Sequence, residues 1–255
     1  MGAPEEFARW MSTNVANDNK HGRKVYRYHP RSDYHSRKLC ELVLADLLRA
    51  CPAMASHAGA GTIVGGVNAA HTFASGKTKS LDLAIGTPAD AIIVPLASSS
   101  IVMGKISQLR VAMEAKQCMT EHSKTKPRIY DELSSSHEIV HKGEPKAIAC
   151  GIVVVNIAEK YASPTRRLPA GPVLFTSHKQ PEAAGAIVQH LRGLHRRTAD
   201  GQTGFDAFVT IVIDCDNTAG CLLHTGNPAP QPGDLDHYDA FIHEISRAYV
   251  DRFSG

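Results

Sequence analysis

Apolar residues recur along the chain in several rhythms, and each rhythm predicts an element. From Ser36 to Cys51, Leu39, Leu42, Val43, Asp46 and Leu47 return at three-to-four spacing, mostly apolar, behind a serine placed to cap a helix. In SLDLAIG, Leu81, Leu83 and Ile85 alternate with Asp82 and Ala84, the two-residue period of a strand with one buried face. LRVAMEAK alternates in the same way, with Val111, Met113 and Ala115 on one face and Ala112, Glu114 and Lys116 on the other. IACGIVVVNI is an almost unbroken apolar run, as in a strand covered on both faces, and is expected at the centre of a sheet.

Other segments fill in the order. TIVGGV, in a stretch rich in Gly and Ala, and AIIVPL read as short β pieces. PRIYDELSSSHEIVHK, with Ile129, Leu133 and Val140 behind Pro127, reads as a helix, as does AAGAIVQHLRGLHRR; FDAFVTIVIDC reads as a second buried strand. HYDAFIHEISRAYVDRF predicts a last helix with Tyr238, Phe241, Ile242, Ile245 and Tyr249 on one stripe, and part of that stripe or the proline-rich loop HTGNPAPQPGDLD is expected between subunits. Residues 1–30 are polar and aperiodic and are expected to form a peripheral arm; residues 31–255 are expected to form one domain. The fold class that results is α/β: a mixed central β-sheet flanked by α-helices, with SLDLAIG and VAMEAK adjacent and antiparallel at the active edge.

Composition sharpens this picture only in places. A chain of 255 residues that is 43% hydrophobic and 21% charged is long enough to bury a substantial core. Net charge is +3, so any contact with nucleic acid has to come from a local basic patch. No apolar run reaches the roughly 18 to 20 residues of a membrane span, and the first residues lack the apolar core of a signal peptide, so no membrane partner and a cytoplasmic location are expected. The six cysteines fall singly, with no C-x-x-C pair, which predicts reduced thiols. Fourteen histidines without H-x-H or H-E-x-x-H argue against zinc.

The chemistry sits in the two alternating strands. Asp82 and, 32 residues later, Glu114 offer two carboxylates, and Lys116 shares a strand face with Glu114. Hydrolysis of a phosphodiester calls for a divalent cation, and hard Mg²⁺ is typically held by one or two carboxylates plus waters. A lysine beside them can orient or deprotonate the attacking water and stabilise charge building on the phosphorane.

In these residues the chain resembles the PD-(D/E)XK, or restriction-endonuclease-like, nuclease superfamily over about residues 36 to 160, LDLAIG and MEAK matching its acid and its (D/E)-x-K. Leu81 stands where the family usually has a proline. The resemblance implies a restriction-endonuclease-like core and a Mg²⁺- or Mn²⁺-dependent endonuclease acting on double-stranded DNA, with the Ala115 carbonyl and Glu41 as further metal ligands. The tetrapeptide from Glu114 to Gln117 is also similar to NucC-type antiphage effectors and to several restriction enzymes. That likeness implies a role in defence or restriction, a homodimer or homotrimer, and a cyclic-oligonucleotide activator, for which no residue here can be matched. Gln117, Lys124, Lys126 and Arg128 are expected on the DNA-contacting surface, with Arg166 and Arg167 near it.

Rival signals are weaker. SGKTKS is not a phosphate loop, because His71 stands where the first glycine is required; its Lys77 and Lys79 read as a solvated edge. Asp214 and Asp216 in IDCDN lack acidic partners, so a turn capped by Asp216 and Asn217 is expected. His122 and His137 flank the helix after the motif as candidate phosphate contacts. A non-catalytic ligand-sensing or assembly protein on the same scaffold is the competing reading.

Overall fold

The computed structural model describes residues 2–13, 16–18, 23–91, 101–164, 173–179, 182–199 and 201–254. Most of AIIVPL lies outside them, as do Arg166 and Arg167. In chain order the elements are α1 (Ala3–Thr13), β1 (Ala16–Asp18), β2 (Arg23–Tyr26), α2 (Tyr34–Ala50), α3 (Pro52–Gly59), β3 (Val64–Thr72), β4 (Thr78–Pro88) and β5 (Ile106–Cys118). They continue with α4 (His122–Gly143), β6 (Ile148–Asn156), β7 (Lys160–Ala162), β8 (Phe175–Ser177), α5 (Glu182–Leu191), β9 (Ala207–Cys215), β10 (Cys221–Leu223) and α6 (Tyr238–Phe253).

Six strands form one mixed sheet in the order β10-β9-β6-β5-β4-β3. β3, β4 and β5 are an antiparallel meander, whereas β6 runs parallel to both β5 and β9. The two parallel steps need crossovers, and the chain makes them through α4 and α5. All nine residues of β6 are buried, as its unbroken apolar run predicts. SLDLAIG and VAMEAK are adjacent and antiparallel, but they lie inside the sheet rather than at its rim, because β3 covers β4.

Each face of the sheet carries its own core. On one, Leu39, Val43 and Leu47 of α2 and Phe241, Ile245 and Tyr249 of α6 pack on Val111, Met113, Ile152, Val154 and Val209. On the other, Ile129 and Leu133 of α4 and Ile187 and Val188 of α5 pack on Val153, Val155, Phe208 and Val212. The expected peripheral arm is corrected here: Ala3, Phe7, Ala8 and Met11 of α1 are buried in the first core. Phe7 and Met11, four apart, form one helical stripe inside a segment whose average is polar. In the aromatic stripe of α6, Phe241, Ile245 and Tyr249 are fully buried in the same core, while Tyr238 and Ile242 are half-buried.

Two boundaries shift. α2 begins at Tyr34, which puts Ser36 in the first turn, its hydroxyl donating to the Asp33 carbonyl at 3.0 Å. α4 begins at His122 and takes Pro127 inside it; a missing N–H this close to the start costs only one helix bond. SGKTKS forms the tight turn between β3 and β4, with Gly76 at φ +79° and its N–H on the Phe73 carbonyl at 2.8 Å. Among the described residues no helix is long and apolar enough to cross a membrane.

Candidate active site

Register sets the carboxylates side by side. Leu83 pairs with Met113 across β4 and β5, so the next rung places Asp82 against Glu114, on the same face of the pleat. A bulge at Ile85–Gly86 bends β4 just beyond, where a Cβ on Gly86 would come 2.1 Å from the Gln108 carbonyl oxygen. Asp82 Oδ2 accepts the Ala115 backbone N–H at 2.8 Å and so ties one strand to the other at the motif.

Glu114 is almost wholly buried and fully engaged. Lys116 Nζ lies 2.7 Å from Oε1, Lys79 Nζ 2.9 Å from Oε2, and the Ser136 hydroxyl donates to Oε2 at 3.1 Å. Lys116 also reaches Glu132 at 3.3 Å, and Arg128 reaches Glu132 at 3.8 Å. A chain of alternating charge therefore runs from the sheet to the outer face of α4. Three of its members escape a reading of the strands alone. Lys79, expected at a solvated edge, turns inward from the β3–β4 hairpin, and Glu132 and Ser136 stand four apart on α4, a spacing that puts both on the face turned to β5.

The two carboxyls are poised differently. Burial pushes Asp82 above its ordinary value and the charge of Glu114 adds to this, while the Ala115 N–H and both lysines pull it back. Burial pushes Glu114 up as well, but the charge and hydrogen bonds of Lys116 and then Lys79 outweigh it and hold Glu114 below its ordinary value. Lys116, whose burial disfavours its charge, is held above its ordinary value by Glu114 and Glu132.

Not every expected residue joins the cluster. Glu41, on α2, is half-exposed and pairs with Lys38 at 3.8 Å. Gln117 falls on the opposite face of β5 from Glu114, and its side-chain nitrogen has no hydrogen-bond partner among the described residues. Lys124 and Arg128 are well exposed on the first turns of α4, with Lys126 half-buried between them; Lys124 pairs with Glu121 at 3.1 Å. His122 and His137 are corrected: both are buried, His122 on the Asn156 carbonyl at 2.8 Å and His137 midway along α4. Asp216 caps the turn after β9, accepting from the N–H groups of Thr218 and Ala219 at 2.7 and 2.8 Å.

Asp82 and Glu114 are two carboxylates of the kind a hard divalent cation takes. Among the described residues Asp82 Oδ1 has no hydrogen-bond partner, and the repulsion from Glu114 is what a cation between them would relieve. Against this, among the described residues no group of three or more His, Cys, Asp or Glu side chains converges to hold a metal, so side-chain ligation rests on the pair alone. A cavity of about 890 Å³ lies elsewhere, between α6, the end of α2 and the proline-rich loop, and neither carboxylate lines it. No protein family matches the chain, nor does any curated protein or solved structure.

Proposed function

We propose that this protein is a divalent-metal-dependent endonuclease that hydrolyses DNA phosphodiesters in the cytoplasm, on a restriction-endonuclease-like core. The observation that carries the reading is the pairing of Lys116 with Glu114 at 2.7 Å, one rung from an Asp82 that is itself hooked to the same strand. Asp82 and Glu114 would hold Mg²⁺ or Mn²⁺, with the Ala115 carbonyl added by the resemblance. Such an ion supplies a nucleophilic water at neutral pH and neutralises charge on the scissile phosphate.

The chain's own residues do the rest. Lys116, kept protonated by two carboxylates, is placed beside Glu114, where it could stabilise a developing phosphorane charge. Ser136 donates to Glu114 Oε2 and so helps to orient the carboxylate. The first turns of α4 offer Lys124, Lys126 and Arg128 to the phosphates of a duplex, and Arg128 is joined to the cluster through Glu132.

Supercoiled plasmid incubated with Mg²⁺ is expected to be nicked or linearised, with no cleavage in excess chelator and DNA binding without turnover in Ca²⁺. Asp82→Asn is expected to abolish cleavage. Activity near wild type in that variant, or full activity in chelator, contradicts the reading. Cyclic oligonucleotides belong in the assay as a further arm, since the NucC-type likeness carries such an activator.

One observation favours the alternative of a ligand-sensing or assembly protein. The 890 Å³ cavity is within the range of small-molecule sites and lies apart from the carboxylates. Ligand binding there without cleavage of DNA or RNA under any metal would select it.

A further inference from the structure

Two of the six cysteines are not isolated. Cys215 ends β9 and Cys221 begins β10, and the two are direct partners in the antiparallel register. The His224 N–H bonds the Val212 carbonyl at 2.9 Å, which makes Val212–His224 and Asp214–Leu222 the hydrogen-bonded rungs and Cys215–Cys221 a non-hydrogen-bonded one. Backbone contacts of the pair agree. The Cys221 N–H and carbonyl both face Ser12 Oγ of α1, at 2.8 and 2.7 Å, and the Cys215 N–H faces Asn156 Oδ1 at 3.0 Å.

Non-hydrogen-bonded rungs bring Cα atoms to about 4.5 Å, inside the roughly 4.4–6.8 Å that a disulfide spans. Both side chains point into the same core layer, and both cysteines are free thiols. We propose that Cys215 and Cys221 are a reversible oxidation site, closing a cross-strand disulfide when a peroxide reaches them.

The register sets the two thiols side by side. The neighbouring Cys221 thiol, against the effect of burial, holds Cys215 below its ordinary value, which favours Cys215 as the attacking group. Cys40, Cys118 and Cys150, by contrast, are pushed up by burial. Access comes from the shortness of β10: a three-residue strand at the end of the sheet, with Leu222 70% exposed, opens at far lower cost than the strands inside.

The chemistry balances. Cys215 thiolate attacks one peroxide oxygen, the O–O bond breaks, and hydroxide leaves to take up the thiol proton as water. Cys221 sulfur then attacks the Cys215 sulfenic sulfur, the S–O bond breaks, and a second water leaves with the Cys221 proton. Two thiols lose two electrons and the peroxide is reduced. The new bond fastens β10 to β9 and, through Ser12, fastens the end of α1 to the sheet.

The test uses the full chain, treated with hydrogen peroxide in native buffer, quenched, denatured and alkylated. Four of the six cysteines are expected to take the label. The tryptic segment from Thr198 to Arg247, which holds both Cys215 and Cys221, is expected unlabelled and lighter by two hydrogens, with full labelling restored by a dithiol reductant. In Cys221→Ser, Cys215 is expected to stop at a sulfenic acid that dimedone traps. Labelling of all six cysteines, or loss of label at any other pair, overturns the proposal.

Discussion

Glu114 and Asp82 face each other across one rung yet have opposite effects on stability. Glu114 is held below its ordinary value, so its contribution is present at neutral pH and is lost as pH falls through that lowered value. Asp82 is held above its own, so the stability it contributes is present only in acid and is lost as pH rises. Ionised Asp82 therefore costs stability at pH 7, as expected of a group kept for chemistry rather than folding. Asp82→Asn is expected to raise the melting temperature at pH 7, the gain vanishing in acid. Glu114→Gln is expected to lower it, by about 3 kcal/mol in stability, since the half-buried Lys79 loses its carboxylate and Lys116 keeps only Glu132. Melting curves of both variants from pH 3 to pH 8 check this, and shifts of the same sign would refute it. Lys79 adds a second prediction at this scale. It holds Glu114 Oε2, an oxygen the proposed ion would need, so Lys79→Met is expected to lower the Mg²⁺ concentration for half-maximal cleavage about tenfold, the equivalent of ~1.4 kcal/mol. An unchanged Mg²⁺ requirement would show that Lys79 does not compete.

Between residues and molecule, α4 is the element that makes the site. Its inner face carries Ile129, Leu133 and Val140 into the core, while Glu132 and Ser136, displaced round the helix, meet Lys116 and Glu114. The strand half of this is legible in the sequence: alternation in SLDLAIG and VAMEAK is enough to put Glu114 and Lys116 on one face of their strand and Asp82 opposite its leucines. The helix half is not, because which polar residues of a helix meet a strand depends on its rotation and crossing angle, and these are set by distant packing. Phe73, whose ring leaves no room for a Cβ on Gly143, helps to set them. α1 escapes the sequence pattern for a related reason: one short stripe, Phe7 and Met11, is outvoted by the polar residues that follow it. α4 also buries His137, edge-on to Phe205 at 4.9 Å, with neither ring nitrogen partnered among the described residues. Burial first, and His141 second, bring its pKa down to about 4 from 6.5. The unfolded chain takes up this proton below pH 6.5 and the folded one only near 4. Stability should therefore be complete above pH 6.5 and fall by about 3 kcal/mol as pH drops to 4. His137→Leu is expected to flatten that limb; a melting profile as steep as wild type would contradict the assignment.

At the scale of the whole molecule, one chain offers one Asp82–Glu114–Lys116 cluster, whereas breaking a duplex calls for two such clusters of opposed orientation. A symmetric homodimer or homotrimer is the economical way to supply them. Within the aromatic stripe of α6, Phe241, Ile245 and Tyr249 are spent on the core of their own chain, which leaves Tyr238 and Ile242 only half-buried. The proline-rich loop before α6 keeps its claim, and Leu235, 67% exposed there, is the apolar side chain on it that a second copy would cover. A second copy covering Leu235 would bury this apolar side chain without disturbing the sheet that holds the carboxylates. The expected outcome is an oligomer by light scattering coupled to gel filtration, dissociated by Leu235→Glu. The dissociated variant should still nick one strand of a plasmid, because Leu235 lies apart from the proposed metal site, while losing linear product. A monomer mass for the wild-type protein, alone and with DNA, together with double-strand breaks, would show that one chain suffices.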